Sequence, residues 1–563
     1  MTRRRQAVAL AVLCLAIVPT ARADASVVRR DSGAAPVLLG SLEVGSGVEF
    51  QGRYWFAGAV EGQDWELWAT DGTPSGTQRV ADVDPGPEGS HPSGLTVFGG
   101  RLYFSAYTPT TGRELFSTDG TTAGTRLFYD IAPNTMSAGP AGPVIAGGRM
   151  YFSANDGQHG SELWSTDGTP DGTHLTADVG AGAKGSNPHS LIALDDRLLF
   201  QADGGLGYPQ LWAAAFGALG AVPVDLSAAD HDLGEMVRLG DRVVFAAQED
   251  GSGTELWSTR GHERDAQRVL DIRTGAEGSR PTDLTVVGTR AYFVARTSAT
   301  SGGLWVTDGS PAGTLPVRDF GGGDLSRLPS SLRALGDQLL FYADDGTHGR
   351  ELWTSRGDAA STRLVLDTVP GAGGSVETED EPAENVAGLQ LYAARDADTG
   401  REPWVTDGTA EGTHRLADLA PGFADSSPYW LGTLANTALF GTGVSSSFRF
   451  YAWTATGSTT RVLAKRRYSA RQARKRKVVL QVTVTTSLDA PAVGGTVALS
   501  IHGRTVGTAT LADGTARVLL TKKLRPGRTY AVQAAWSGSI AATASTSTPV
   551  TIRIRGHHRK KHH

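Results

Sequence analysis

The stretch Glu162-Leu163-Trp164-Ser165-Thr166-Asp167-Gly168-Thr169-Pro170-Asp171-Gly172-Thr173, running on to Asp178, is the unit from which most of the 563-residue chain is built. The pattern, ELWxTDGTxxGT followed by an apolar run ending in Asp, recurs from Trp68 to Trp453. Its third position is Trp68, Phe116, Trp164, Trp212, Trp257, Trp305, Trp353, Trp404 and Trp453, at steps of 48, 48, 48, 45, 48, 48, 51 and 49 residues. A second aromatic lies 12 residues earlier in eight units: Phe56, Phe104, Phe152, Phe200, Phe245, Phe293, Phe341 and Tyr392. In the ninth, Phe440 precedes Trp453 by 13. Two registers that agree at a period near 48 define a repeat architecture, in which each unit must bury its apolar face against its neighbours.

Within the third unit, four short strand candidates, 143–146, 150–154, 162–166 and 174–178, are broken by Gly147-Gly148, Asn155-Asp156-Gly157 and Asp167-Gly168-Thr169. Glycine supplies the positive φ of such turns, and Asp or Asn bonds its own backbone two residues on. Four short strands joined by hairpins form one antiparallel sheet, the size of a propeller blade. The expected fold class is all-β: a large β-propeller of about eight or nine four-stranded blades. The strand around Val37–Leu39 is placed to complete the last blade. Two smaller rings or an open solenoid are the alternatives.

The units resemble the ELWxxDGT repeats of secreted bacterial proteins, a family whose resemblance implies a β-propeller-like array over residues 36–464. The DGT or DGS turn is complete at Asp71, Asp119, Asp167, Asp308 and Asp407. Arg260 and Arg356 replace that Asp in two units, and an alanine does so in the fourth.

The ends differ in kind from the repeats. Arg3, Arg4 and Arg5 precede an apolar run from Ala7 to Val18, and Ala21-Arg22-Ala23 supplies small residues for cleavage, so residues 1–23 read as a signal peptide of the general secretory route. The single cysteine, Cys14, leaves with it, which excludes disulfides and thiolate chemistry in the mature chain. No second apolar stretch is long enough for a transmembrane helix. Residues 465–477 hold eight basic residues and no acid, and read as a linker. Residues 478–554, from Val478–Val484 through Gly495–Leu499 to Val532–Trp536, resemble bacterial Ig-like domains, which implies a β-sandwich. Residues 555–563 read as a basic, disordered tail.

Charge is split along the chain. Residues 465–563 carry a net +17, whereas residues 24–464 hold 30 basic and 56 acidic residues, a net of −26. The basic segments are expected to meet an anionic cell-envelope polymer; nucleic acid is set aside as a partner in life because of the signal peptide. The chain is expected to be a monomer, secreted or at the cell surface, with an extracellular glycan or protein as its other partner.

The candidate functional residues are mostly repetitive. Asp82, Asp130, Asp178, Asp225, Asp271, Asp319, Asp367 and Asp418 close the fourth strand candidate; a calcium-binding ring at a channel mouth is weighed against turn capping, and capping is preferred. The motif glutamates Glu66, Glu114, Glu162, Glu255, Glu351 and Glu402 sit in near-identical contexts, unlike the paired carboxylates of glycosidases, whose surroundings must differ. The Trp column reads as packing rather than a sugar platform. His159 and His348 share one turn position, and His174 and His414 another. The acidic insert with Glu377, Glu379, Asp380 and Glu381 is the best single metal candidate, and calcium the one cofactor considered. No catalytic residues are assigned, and no HExxH, GxSxG, phosphate loop or dinucleotide fingerprint occurs. The favoured reading is a non-enzymatic binding or structural protein on a propeller scaffold; the alternative is a propeller-type hydrolase or lyase acting on extracellular polysaccharide. An isolated, non-repeated polar cluster would favour the enzyme.

Overall fold

The computed structural model describes residues 35–224, 229–377, 385–444, 447–455, 458–463, 467–468 and, with short gaps, 478–554. Among them all regular structure is strand, apart from a three-residue 3-10 turn at Leu325–Arg327.

After a leading strand β1 (Val37–Gly40), the first blade is β2 (Leu42–Phe50), β3 (Arg53–Val60), β4 (Glu66–Thr70) and β5 (Gln78–Ala81), hydrogen-bonded in that order. The second is β6 (Ser93–Phe98), β7 (Arg101–Thr108), β8 (Gly112–Thr118) and β9 (Arg126–Tyr129). Six more sheets of the same order follow. The ninth is made of Pro428–Leu434, Thr437–Val444 and Ser447–Thr454, with β1 as its fourth strand. That last strand pairs antiparallel, Val37 with Ala452 and Leu38 with Tyr451, so the N-terminal segment closes the ring as the sequence expectation had it.

The 12-residue offset between the two aromatic columns is the span of one hairpin. Phe152 faces Trp164, Phe104 faces Phe116 and Phe293 faces Trp305 directly across the second and third strands. Cross-strand aromatic pairs of this kind stabilise the sheet locally. The ninth unit is corrected by its register: Phe440 faces Tyr451, and Trp453 faces Ala438, so Tyr451 takes the motif position and Trp453 lies two residues beyond it.

The middle strands are buried on both faces, as in Arg149–Asn155, where only the two end residues are partly accessible. The reason is face-to-face stacking of blades. Nine apolar clusters each span two consecutive sheets. Trp164 packs with Tyr103 and Leu115 of the preceding blade, and Trp257 packs with Leu199 and Leu211. The cluster that joins ninth blade to first holds Leu434, Leu439 and Phe450 with Leu42, Val44 and Phe56. Nine sheets with nine interfaces make one closed ring, which removes the two-ring and solenoid alternatives. First strands of blades one to seven, and of blades nine and one, lie side by side, so the first strand of each sheet lines the axis and the fourth forms the rim.

At the C-terminal end, Val479–Thr486 pairs with Thr515–Leu519, and a second sheet holds Thr496–Ile501, Arg504–Thr510, Thr529–Trp536 and Val550–Ile554. Leu480, Val482, Leu499, Val518, Val532 and Ile552 are buried between them. Ser458–Leu463, counted with the repeats, joins the first of these sheets. Arg467–Tyr468, inside the basic run, pairs parallel with Val550–Ile554 in the second. Strand pairing thus reaches upstream of residue 478.

Candidate active site between the first two blades

The repeated residues build the scaffold. In the DGT turn, the Asp167 carboxylate accepts from the Thr169 amide at 2.9 Å and its hydroxyl at 2.7 Å. These bonds hold the carboxyl below its ordinary value. Gly168 has φ +93°, and a Cβ on Gly172 would lie 2.1 Å from Asp167 Oδ1, so both glycines of the motif are required by geometry. Asp71, Asp119, Asp308 and Asp407 repeat the pattern. Where Arg260 replaces the Asp, Asp265 takes over by accepting from the Arg260 amide and the Thr259 hydroxyl, and Arg260 turns away to Asp241 at 2.7 Å.

Each motif glutamate is fully buried and accepts hydrogen bonds from the connection to the next blade. Glu162 accepts from the Val179, Gly180 and Ser186 amides and from the Ser186 hydroxyl, at offsets of 17, 18 and 24 residues. Glu66 and Glu255 use the same offsets, and Glu402 uses those of 17 and 18. The strand-closing aspartates do not act alike. Of those described, Asp319 bonds a following amide, that of Gly321 at 2.8 Å, whereas Asp82 and Asp271 pair with Arg79 and Arg268 three residues before. Among the described residues they end the rim strand rather than line the axis; Asp225 lies outside the described residues. The connection-organising role belongs to the glutamates. The signal that could have found it was a serine 24 residues after the motif Glu, present at Ser90, Ser186, Ser279, Ser375 and Ser426.

Trp164, Trp257, Trp305, Trp353, Trp404, Trp453 and Phe116 are buried, while Trp68 and Trp212 are half-buried, so the column is a packing layer. His159 and His348 each bond the Asp three residues before, at 2.7 and 3.0 Å, within exposed turns. Glu377 is exposed; Glu379, Asp380 and Glu381 lie outside the described residues. Among the described residues one set of potential metal ligands converges, Asp64, Glu66 and Asp82, within 4.8 Å of one another. Glu66 already gives both oxygens to amides and the Ser90 hydroxyl, and Asp64 and Asp82 both pair with Arg79 at 3.2 Å. That donor set is spent on structure.

Beside it, Trp65 and His91 depart from the repeat, whereas Arg113 stands where Arg350 and Arg401 stand in their blades. Between blades one and two is a cavity of about 400 Å³, lined by Gly45, Ser46, Trp65, His91, Ser93 and Arg113 among others. Gly45 and Ser46 lie at a bulge in β2, between Val44 and Gly47, that recurs in the first strand of blades two to seven. Trp65 precedes the motif Glu; Arg113, Ser161, Thr254, Arg350 and Arg401 stand there in other blades. His91 follows Ser90 in the connection, where its amide donates to Trp65 O at 3.1 Å with φ +46°. Its ring lies near-parallel to the indole at 19°, with centroids 6.4 Å apart. Arg113 reaches in from β8 and donates from one guanidinium nitrogen to His91 O at 2.9 Å. Burial pushes its pKa below the ordinary value. Glu66, by fixing the Val83–Ser90 connection, positions both Trp65 and His91 without lining the cavity.

Among solved structures the chain is similar to prolyl endopeptidases, at 12% identity and a TM-score of 0.34 over 71% of this chain and 55% of that one. It is similar to puromycin hydrolase, at 14% identity and 0.34 over 64% and 60%. It is also similar to the β-propeller domain of the Trilobed protease from Pyrococcus furiosus, at 11% and 0.30 over 59% and 99%. The chain thus spans little more than half of the first two proteins. No curated protein matches it. Against the favoured reading as a non-enzymatic binding or structural protein, the matched proteins named here are peptidases and a hydrolase; at this likeness the matches carry no activity to this chain. At the C-terminal end, residues 469–555 match the model of the bacterial Ig-like domain, group 3, so the chain joins a nine-bladed all-β propeller to a domain of that group.

Proposed function

We propose that this chain is a secreted propeller-type hydrolase or lyase that acts on extracellular polysaccharide at the cavity between its first two blades. At such identities the matched structures speak for fold alone, so the reading rests on the cavity. In its lining an indole and an imidazole that depart from the repeat, Trp65 and His91, meet the guanidinium of Arg113 on one space. A scaffold needs the same residues in every blade; chemistry on a substrate needs unlike ones in one place.

Secretion is supported by the leader-like residues 1–23, the cysteine-free remainder and the Ig-like domain. No helix among the described residues is long and apolar enough to cross a membrane. In this reading the ELWxxDGT repeat is the scaffold and the basic segments 465–477 and 555–563 hold it to anionic envelope polymer. The test is a screen of purified residues 24–563 against a panel of polysaccharides, read for new reducing ends and for the ultraviolet absorbance of unsaturated sugars. Product from at least one polymer is expected; none from a broad panel sinks the proposal.

A further inference from the structure

Arg113 is far less committed than the arginine that stands before the motif glutamate in blade seven. Arg350, its counterpart in blade seven, donates to Ser330 Oγ and to the carbonyls of Ser326, Leu328 and Tyr342. Arg113 donates from its side chain to His91 O alone, although a guanidinium carries five N–H groups. Among the described residues no carboxylate lies within ion-pair distance of it. A half-buried, unneutralised cation facing a cavity is an electrostatic cost that an anion relieves.

The remaining walls narrow the anion. The Trp65 indole offers a flat apolar face, suited to the C–H face of a sugar ring. Ser46 and Ser93 offer hydroxyls, and the apolar side chains lining the space are small, Ala57 and Pro92, so no deep pocket for a large apolar side chain is present. The volume lies within the range of about 300–1,000 Å³ usual for small-ligand sites. The net charge of −26 over residues 24–464 opposes the approach of a densely charged polyanion. A mostly neutral glycan with single acidic sugars escapes that repulsion.

We infer that the cavity binds a carboxylate-bearing sugar residue of an otherwise largely neutral glycan, with Arg113 forking the carboxylate and Trp65 supporting the ring. This rests on the polysaccharide reading above and adds the substrate class. A guanidinium matches a carboxylate in two parallel hydrogen bonds, which lysine cannot reproduce. The test is calorimetric titration of the full chain with three probes: a neutral oligosaccharide containing one glucuronate, its methyl ester, and the all-neutral oligosaccharide. The acid is expected to bind at least about tenfold more tightly than the ester. Arg113→Gln should abolish that preference while leaving ester binding unchanged, and Trp65→Ala should weaken both. If Arg113→Gln does not fold, Arg113→Lys keeps the charge without the fork and should lose part of the preference. Equal binding of acid and ester, or an acid preference undiminished in the arginine variants, overturns the inference. Acid-selective binding without turnover of any polymer leaves this inference standing and sinks the catalytic one; turnover with no acid preference does the reverse.

Discussion

Glu114 lacks one hydroxyl that Glu162 has. It accepts from the Ile131, Ala132 and Ala138 amides, but where Ser186 adds its hydroxyl to Glu162, Ala138 has none. Burial pushes Glu114 up to about 7 against the pull of those amides, and burial likewise raises Glu351 to about 7. A carboxyl whose folded value exceeds its unfolded 4.5 favours folding while protonated. Its stabilisation is therefore complete at acid pH and is lost as pH rises through about 7. Thermal stability should fall between about pH 5 and pH 8 on this account. Ala138→Ser should lower the Glu114 value and flatten part of that fall; a pH profile of melting temperature unchanged by Ala138→Ser would show that the hydroxyl is not what Glu114 lacks. At this scale the turns were legible in sequence because Asp, Gly and Thr act on neighbours within five residues. The glutamates were not, because their partners lie 17 to 24 residues away in connections whose sequences vary.

Blades are held by the aromatic pair at the centre of each hairpin. Trp164 is buried against the preceding blade, and its indole nitrogen has no hydrogen-bond partner. Trp164→Ala should cost about 3–5 kcal/mol. Trp164→Phe should cost much less, since Phe116 fills the same position one blade earlier and no hydrogen bond is lost. Trp212 differs: it is half-buried and its indole donates to Ala202 O at 3.1 Å. Chemical denaturation of the two Trp164 variants orders them; a Trp164→Phe variant as unstable as Trp164→Ala would contradict packing as the role of the indole. The period and the strand count of each blade could be read from the sequence alone. The ninth blade misled, because a residue count cannot see that Phe440 faces Tyr451 rather than Trp453.

For the whole molecule, closure depends on β1. Its Leu39 is buried in the cluster that joins ninth blade to first. Removing residues 35–41 should cost about 2–4 kcal/mol, the order expected for a lost buried leucine, read as a lower melting temperature with the sandwich unaffected. An unchanged melting temperature would mean that the ring holds without its closing strand. The charge split gives a second global prediction: replacing the basic residues of 465–477 by glutamine should reduce attachment to anionic cell walls at low salt, where screening is weak. Attachment equal to that of the parent chain would rule the run out as an anchor. The cavity was not legible in sequence because Trp65, His91 and Arg113 come from two blades and a connection, each ordinary in its own repeat. Only the ring brings them together. Whether chemistry happens at this cavity is measured most directly by turnover of a polysaccharide by the parent chain and by Arg113→Gln at matched melting temperature. Product from the parent and a loss of at least about tenfold in kcat/KM, some 1.4 kcal/mol of transition-state binding, is the expected result; equal turnover by the two chains would contradict it.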